Sequence, residues 1–310
     1  MDLASRLRPI RLDDVRQDYD KLSKEPCKNP GLNRIGTKTL DYFFLGHRLK
    51  ARTKAHLSFA EAMKDSERVR HLTDLVRRYK KKEPSDLTPD ELLRLQYDVF
   101  QLYYGTINQF RPTVARWIYC TLKPRHGILD FSAGWGGRCL AAMSMGIPYI
   151  GIDANVRLKP AYNAMIKQIS PDADVTMLFQ PSEKVDMSKY KYDLIMTSPP
   201  YFMLEEYETM PAYTSKENFL ETFFVPVVQE AWAHLLPGGH MALNMPHEMY
   251  MAIRGHLPPL LKRMPLPLHN RHPTNAARRR TLGTETHRHE LIYVWKKGAS
   301  RGTRKNKKNT

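Results

Sequence analysis

Residues 127–138 read GILDFSAGWGGR: a short apolar strand, a turn carrying Gly134, Gly136 and Gly137, then a helical stretch beginning near Arg138. A glycine turn between strand and helix lets a ligand approach the backbone and aims the free N–H groups of the helix start at it. About twenty residues further on, YIGIDAN reads as a second strand ending in Asp153, and an acid at that spacing can accept hydrogen bonds from ribose hydroxyls, as in dinucleotide sites. The turn has Asp130 before it and Ser132 within it, and no clean GxGxxG. Taken alone it is weak as a cofactor signal and serves NAD equally well. Its constraint on the fold is stronger, because strand, helix and strand in alternation are the pattern of a parallel sheet covered on both faces.

The alternation continues. Strands are expected near 127–131, 148–152, 174–179, 192–197 and 240–245, with a last one near 290–295. The run YDLIMTSPPYF (residues 192–202) is the most informative of them. Apolar residues enter as a buried strand would, and two prolines then end regular pairing. Ser198, Pro199, Pro200 and Tyr201 are thereby placed at the carboxyl end of a strand, where ligands bind in open α/β sheets. Such a turn suits chemistry on an exocyclic base amine, whose lone pair is delocalised into the ring. Acceptors aimed at its two hydrogens favour the pyramidal form that can attack, without covalent catalysis. Ser198 and the Pro199 carbonyl are candidates for those acceptors, and Tyr201 for stacking on the base. A plain strand-terminating Pro-Pro with a half-buried Tyr fits the tetrapeptide equally well.

In this order, DFSAGWGGR, GIDAN and TSPPYF resemble the S-adenosylmethionine-dependent amino-methyltransferases of nucleic acids, over roughly residues 105–295. TSPPY is most similar to the cytosine-N4 type, whereas the adenine-N6 type more often carries Asp or Asn in place of Ser198. The resemblance implies a Rossmann-like methyltransferase fold and S-adenosyl-L-methionine as cofactor. It implies that Asp130, Ser132, Gly134 and Gly136 line the methionine end and that Asp153 holds the ribose. QFRPT, at 109–113, looks like the family's motif ahead of the glycine turn, so Phe110, Arg111 and Thr113 join the implied cofactor site. Ser198, Pro199, Pro200 and Tyr201 form the implied catalytic turn. Gln180 or Ser182, just past the third strand, are placed beside the adenine, although ordinary loop polarity explains them almost as well. Carbon-5 cytosine methyltransferases look different, needing a Cys nucleophile after a proline; Cys120 and Cys139 follow none, and Cys27, after Pro26, stands in the N-terminal arm.

Composition bounds the partners. A formal charge of +17 over 310 residues points to a polyanion. Joined to a base-amine site it makes nucleic acid the expected substrate, DNA ahead of RNA, with the target base flipped out or single-stranded. Three widely spaced cysteines offer neither a disulfide framework nor a zinc pattern, which fits a reducing compartment. No metal is expected, and His272, His287 and His289 read as surface residues of a basic segment. No stretch approaches a membrane span and residues 1–20 are too charged for a signal peptide, so an intracellular protein, cytoplasmic or nuclear, is expected.

Three regions follow: a helical N-terminal extension (1–104), a doubly wound, mostly parallel methyltransferase domain (105–297) and a basic disordered tail (298–310). Residues 1–50 show no strong period and read as an arm with short helical pieces. Residues 56–82 look helical and end in RRYKKK, more often a solvated face than a groove. Thr88, Pro89 and Glu91 open a helix through a capping box, and ELLRLQYDVFQLYY behind them is expected to be buried against the catalytic domain. Phe202, in the segment after the tetrapeptide, and Arg271, Arg278, Arg279 and Arg280, in a basic loop before the last strand, are the candidate substrate contacts. Other readings remain: adenine N6, a base in RNA, or a catalytically silent nucleic-acid-binding subunit of a methyltransferase complex.

Overall fold

The computed structural model describes residues 2–200, 213–266 and 291–298. Strands β1 (Ile128–Asp130), β2 (Tyr149–Ile152), β3 (Val175–Leu178), β4 (Leu194–Thr197), β5 (His240–Met245), β6 (Lys262–Pro265) and β7 (Leu291–Lys296) form one sheet in the order β3-β2-β1-β4-β5-β7-β6. The first five run parallel, and β7 is antiparallel to both β5 and β6. β1, β2 and β4 are buried at every position, the mark of strands covered on both faces. The expected doubly wound, mostly parallel sheet of the Rossmann-like methyltransferase fold is the one present. β6 went unforeseen because KRMP lacks an apolar run. It is an edge strand with one buried residue, Met264, and ends in Pro265, placements that an edge tolerates.

Period-two alternation sorts the strands between two apolar layers. Ala242, Ile292 and Val294 face one layer, while Met241, Leu243, Tyr293 and Trp295 face the other. Helices α1 (Leu3–Leu7), α2 (Leu12–Ser23), α3 (Thr37–Arg48), α4 (Phe59–Ala62), α5 (Ser66–Leu75) and α6 (Pro89–Tyr103) precede the sheet. Around it lie α7 (Pro112–Leu122), α8 (Gly137–Met143), α9 (Lys159–Ile169), α10 (Lys216–Phe219), α11 (Val225–His234) and α12 (His247–Ile253). The first layer joins α7, α8 and α9 to Leu22 of α2 and to Leu40 and Phe44 of α3. The second is roofed by α11 and α12.

The N-terminal region is more regular than its sequence suggests, because its helices are set by tertiary burial rather than by a visible repeat. The Thr88–Glu91 capping box opens α6 as expected. That helix packs Leu93, Val99 and Phe100 against Leu45, Leu72 and Leu75 in a third cluster, not against the sheet, and it leaves Leu102 and Tyr103 exposed. The stretch 56–82 is divided: α4 and α5 have separate caps at Ser58 and Asp65, and Val76–Lys80 continues as a π-helical turn.

Cysteine spacing misled. Cys27 and Cys120 form a disulfide, their Cα atoms 5.6 Å apart across a sequence separation of 93. The bond belongs to a clamp between α7 and residues 23–33. Arg116 donates to the carbonyls of Ser23 and Glu25, Thr113 to that of Asn33 and Arg111 to that of Gly31. Cys139 is a buried free thiol. Among the described residues no helix is long and apolar enough to cross a membrane, and no group of His, Cys, Asp and Glu is placed to hold a metal.

Candidate active site

Strand order reverses between β1 and β4, and ligands of open α/β sheets bind in the crevice beyond the carboxyl ends at such a point. Both motifs arrive there. β1 and β4 pair Leu129 with Ile195, so Ser132 and Ser198 leave the sheet the same number of residues beyond that pair.

The glycine turn is held from several sides. Gly134 has φ +60 and Gly136 φ +77, backbone that side chains rarely adopt. The Gly134 N–H donates to Asp153 Oδ2 at 2.7 Å, and its carbonyl accepts the Tyr162 hydroxyl at 2.9 Å. A Cβ on Gly134 would meet nothing nearer than the Ser132 carbonyl at 3.9 Å, so the turn is open there. At Gly136 a Cβ would come within 2.8 Å of the Phe44 ring, and at Gly137 within 1.9 Å of the Phe110 carbonyl oxygen. The turn is therefore open at Gly134, whereas the side of Gly136 where a Cβ would stand is filled by Phe44 of α3.

Asp153 sits just past the end of β2, half-buried, where its other oxygen accepts the Asn155 N–H at 2.8 Å. Burial raises its carboxyl to about 6, against the lowering effect of those two backbone donors. Each oxygen retains acceptor capacity, which suits a pair of ribose hydroxyls.

Asp130 has a different part from the one implied. It is fully buried, accepting from Arg138 Nε at 2.6 Å and Nη2 at 3.3 Å, from the Tyr149 hydroxyl at 2.6 Å and from the Ser132 N–H at 3.3 Å. Burial opposes the charge on Arg138, but Asp130 beside it prevails and raises the guanidinium's pKa. Arg138 also donates to the Ser132 carbonyl and lies over the Phe110 ring, 5.1 Å from its centroid. Asp130 thus shapes the turn through Arg138 and leaves no carboxylate oxygen for the methionine end. Ser132 remains half-buried, its hydroxyl donating to the Phe131 carbonyl at 2.8 Å.

Phe110 is brought beside the turn, and Arg111 and Thr113 open α7 just behind it, although the buried Arg111 Nη2 has no hydrogen-bond partner. The Phe110 carbonyl abuts Gly137, while Arg111 and the buried Thr113 hold residues 31–33. Ser182 is buried and donates to the Phe131 carbonyl, and Gln180 is exposed. Ser198 is half-buried, Pro199 buried and Pro200 half-buried at the end of β4. Tyr201, Phe202, Arg271, Arg278, Arg279 and Arg280 lie outside the described residues.

Four participants escaped the sequence reading: Phe44, Arg138, Tyr162 and Asn244. Only Asn244 had a local signal, a polar residue one short of the end of the apolar strand HMALNM. The other three are defined by contacts between distant segments.

The fold is a Rossmann-like methyltransferase architecture, with a glycine turn and a Ser-Pro-Pro turn at one switch point. No family model and no curated protein matches the chain. Among solved structures, TrmN from Thermus thermophilus is similar at 15% identity over 70% of this chain and 69% of that one, with a TM-score of 0.42. The tRNA m1G37 methyltransferase of M. jannaschii is similar at 14% identity over 61% of this chain and 51% of its own, with a TM-score of 0.39. The 1,6-didemethyltoxoflavin-N1-methyltransferase of Burkholderia thailandensis, solved with S-adenosylhomocysteine, is similar at 12% identity over 60% and 76%, with a TM-score of 0.39. This chain therefore spans about half the length of the M. jannaschii protein. At such identities the site's own residues, not the likeness, carry its chemistry.

Proposed function

We propose that the chain transfers a methyl group from S-adenosylmethionine to an exocyclic amine of a base in nucleic acid. The observation that carries this reading is the meeting of the Gly134–Asp153 turn with Ser198-Pro199-Pro200 at the β1/β4 switch point. The open face of Gly134 and the acceptors of Asp153 fit an adenosyl group, and Ser132 and Gly134 border its methionine end.

When bound, the cofactor supplies an electrophilic methyl group on a positively charged sulfur. Ser198 Oγ and the Pro199 carbonyl accept the two amine hydrogens and so favour the pyramidal nitrogen. The amine's lone pair takes the methyl carbon, the carbon–sulfur pair stays with sulfur, and the proton shed by the methylated amine passes to water. Catalysis is positioning and electrostatics throughout, and Tyr201 is the proposed stacking partner of the base.

The formal charge of +17 supports a polyanionic substrate. A nucleic acid of either kind fits that charge, and RNA is the first reading. The Ser form of the tetrapeptide supports cytosine N4 as the second reading, in single-stranded or flipped DNA.

The test is methyl transfer from labelled S-adenosylmethionine to RNA, single-stranded DNA and duplex DNA, with the products digested to nucleosides and identified by mass. An amino-methylated base from any of the three is the expected result. Methylation only at carbon or ring nitrogen would overturn the assignment of Ser198 and Pro199.

A further inference from the structure

Asn244 lies on β5 beside the catalytic turn, with its side chain 2% exposed. Thr197 pairs with Leu243, which puts Asn244 level with Ser198 where β4 ends. Its amide Nδ2 donates to the Leu291 carbonyl at 3.3 Å, and its Oδ1 accepts the Ser198 hydroxyl at 3.3 Å. This orientation is forced: a carbonyl can only accept, so the amide nitrogen must face Leu291 and the oxygen must face Ser198.

A serine hydroxyl is ambivalent. Its single hydrogen can point at whatever lies in front of it, leaving it a donor as readily as an acceptor. In front of a target amine that freedom is harmful, because a hydrogen aimed at the nitrogen ties up the lone pair that must take the methyl group. A carboxylate in the same place has no such defect, since it offers acceptors alone.

We propose that Asn244 is a positioning residue that draws the Ser198 hydrogen to itself and fixes Ser198 as a pure acceptor toward the substrate. The inference rests on the reading of Ser198 and Pro199 as the amine site. It also assigns specificity: a base presenting N–H groups there is accepted, and one presenting a carbonyl meets lone pairs and is turned away.

The experiment compares single-turnover rates on the RNA or DNA oligonucleotide methylated in the assay above, for Asn244→Leu, Ser198→Ala, Ser198→Asp and the two double variants. Asn244→Leu is expected to lower the rate about tenfold to a hundredfold with S-adenosylhomocysteine affinity unchanged. It should add nothing in the Ser198→Ala background. With Ser198→Asp, whose carboxylate needs no orienting partner, its effect should shrink to less than about twofold. A wild-type rate for Asn244→Leu, or a loss carried undiminished into both Ser198 backgrounds, overturns the inference and leaves the amine site standing. If Ser198→Ala itself keeps the wild-type rate, the amine-site reading fails first. Should Asn244→Leu not fold, Asn244→Ala in the same three backgrounds gives the same comparison.

Discussion

The carboxylate of Asp153 accepts the backbone N–H of Gly134 at 2.7 Å, so the residue closing the second strand fixes the turn that follows the first. One carboxylate thereby sets the shape of the glycine turn and keeps acceptor capacity on both oxygens.

Its titration gives the first expectation. With burial holding the carboxyl at about 6, Asp153 is ionised at pH 7.5 and largely protonated at pH 5. S-adenosylhomocysteine affinity, followed by calorimetry, should fall as pH drops through 6, and the gap between wild type and Asp153→Asn should narrow over the same range. Stability has the opposite sign. The native state holds this proton more tightly than the unfolded chain, whose value is 3.8, so the group's contribution is full below 3.8 and is lost as pH rises through 6.

The buried pair Asp130–Arg138 should be indispensable in one direction only. Asp130→Asn leaves a guanidinium 4% exposed without its counter-charge and should lower unfolding free energy by about 3–5 kcal/mol in urea titrations. Asp130→Leu combined with Arg138→Met should be less destabilised than Asp130→Asn alone. Equal losses would show that the charge pair itself is not the source.

Gly137→Ala would set a Cβ 1.9 Å from the Phe110 oxygen, backbone against backbone. We expect a destabilisation of about 3 kcal/mol and at least tenfold weaker S-adenosylhomocysteine binding. Gly146, with φ +63 and nothing within 4 Å of an added methyl, is the control: alanine there should cost about 1–2 kcal/mol and leave cofactor affinity intact.

Thiol chemistry tests the clamp on α7. Cys139 is fully buried, and burial, with Asp130 adding to it, pushes its thiol up, so the native protein should resist alkylation. Unfolded without reductant it should take one label, on Cys139, and after reduction labels on Cys27 and Cys120 as well. Cys27→Ser should lower stability by about 2–4 kcal/mol.

Much of this was legible from local chemistry. The strands of the parallel core announce themselves as apolar runs, and the turns after β1 and β4 are written in glycine and proline. The position of Asp153, just past β2, follows from spacing alone. What failed to show was whatever two distant segments make together. Asp130 reads as a ligand until Arg138 and Tyr149 are seen to occupy it. Cys27 and Cys120 read as isolated until residues 23–33 are laid along α7. Gly136 reads as a cofactor glycine, yet its lack of a side chain admits Phe44. In each case the residue type was right for two roles, and only its neighbour decided between them.

The packing of Phe44 beneath Gly136 also orders events during synthesis. Leu22, Leu40 and Phe44 leave the ribosome long before the glycine turn they support, and most of their partners in the first layer follow only with α7, α8 and α9. The cofactor turn is a late, long-range closure, with the loop entropy that such contacts must overcome. A nascent chain halted before α8 would carry Leu22, Leu40 and Phe44 without the glycine turn that packs on them.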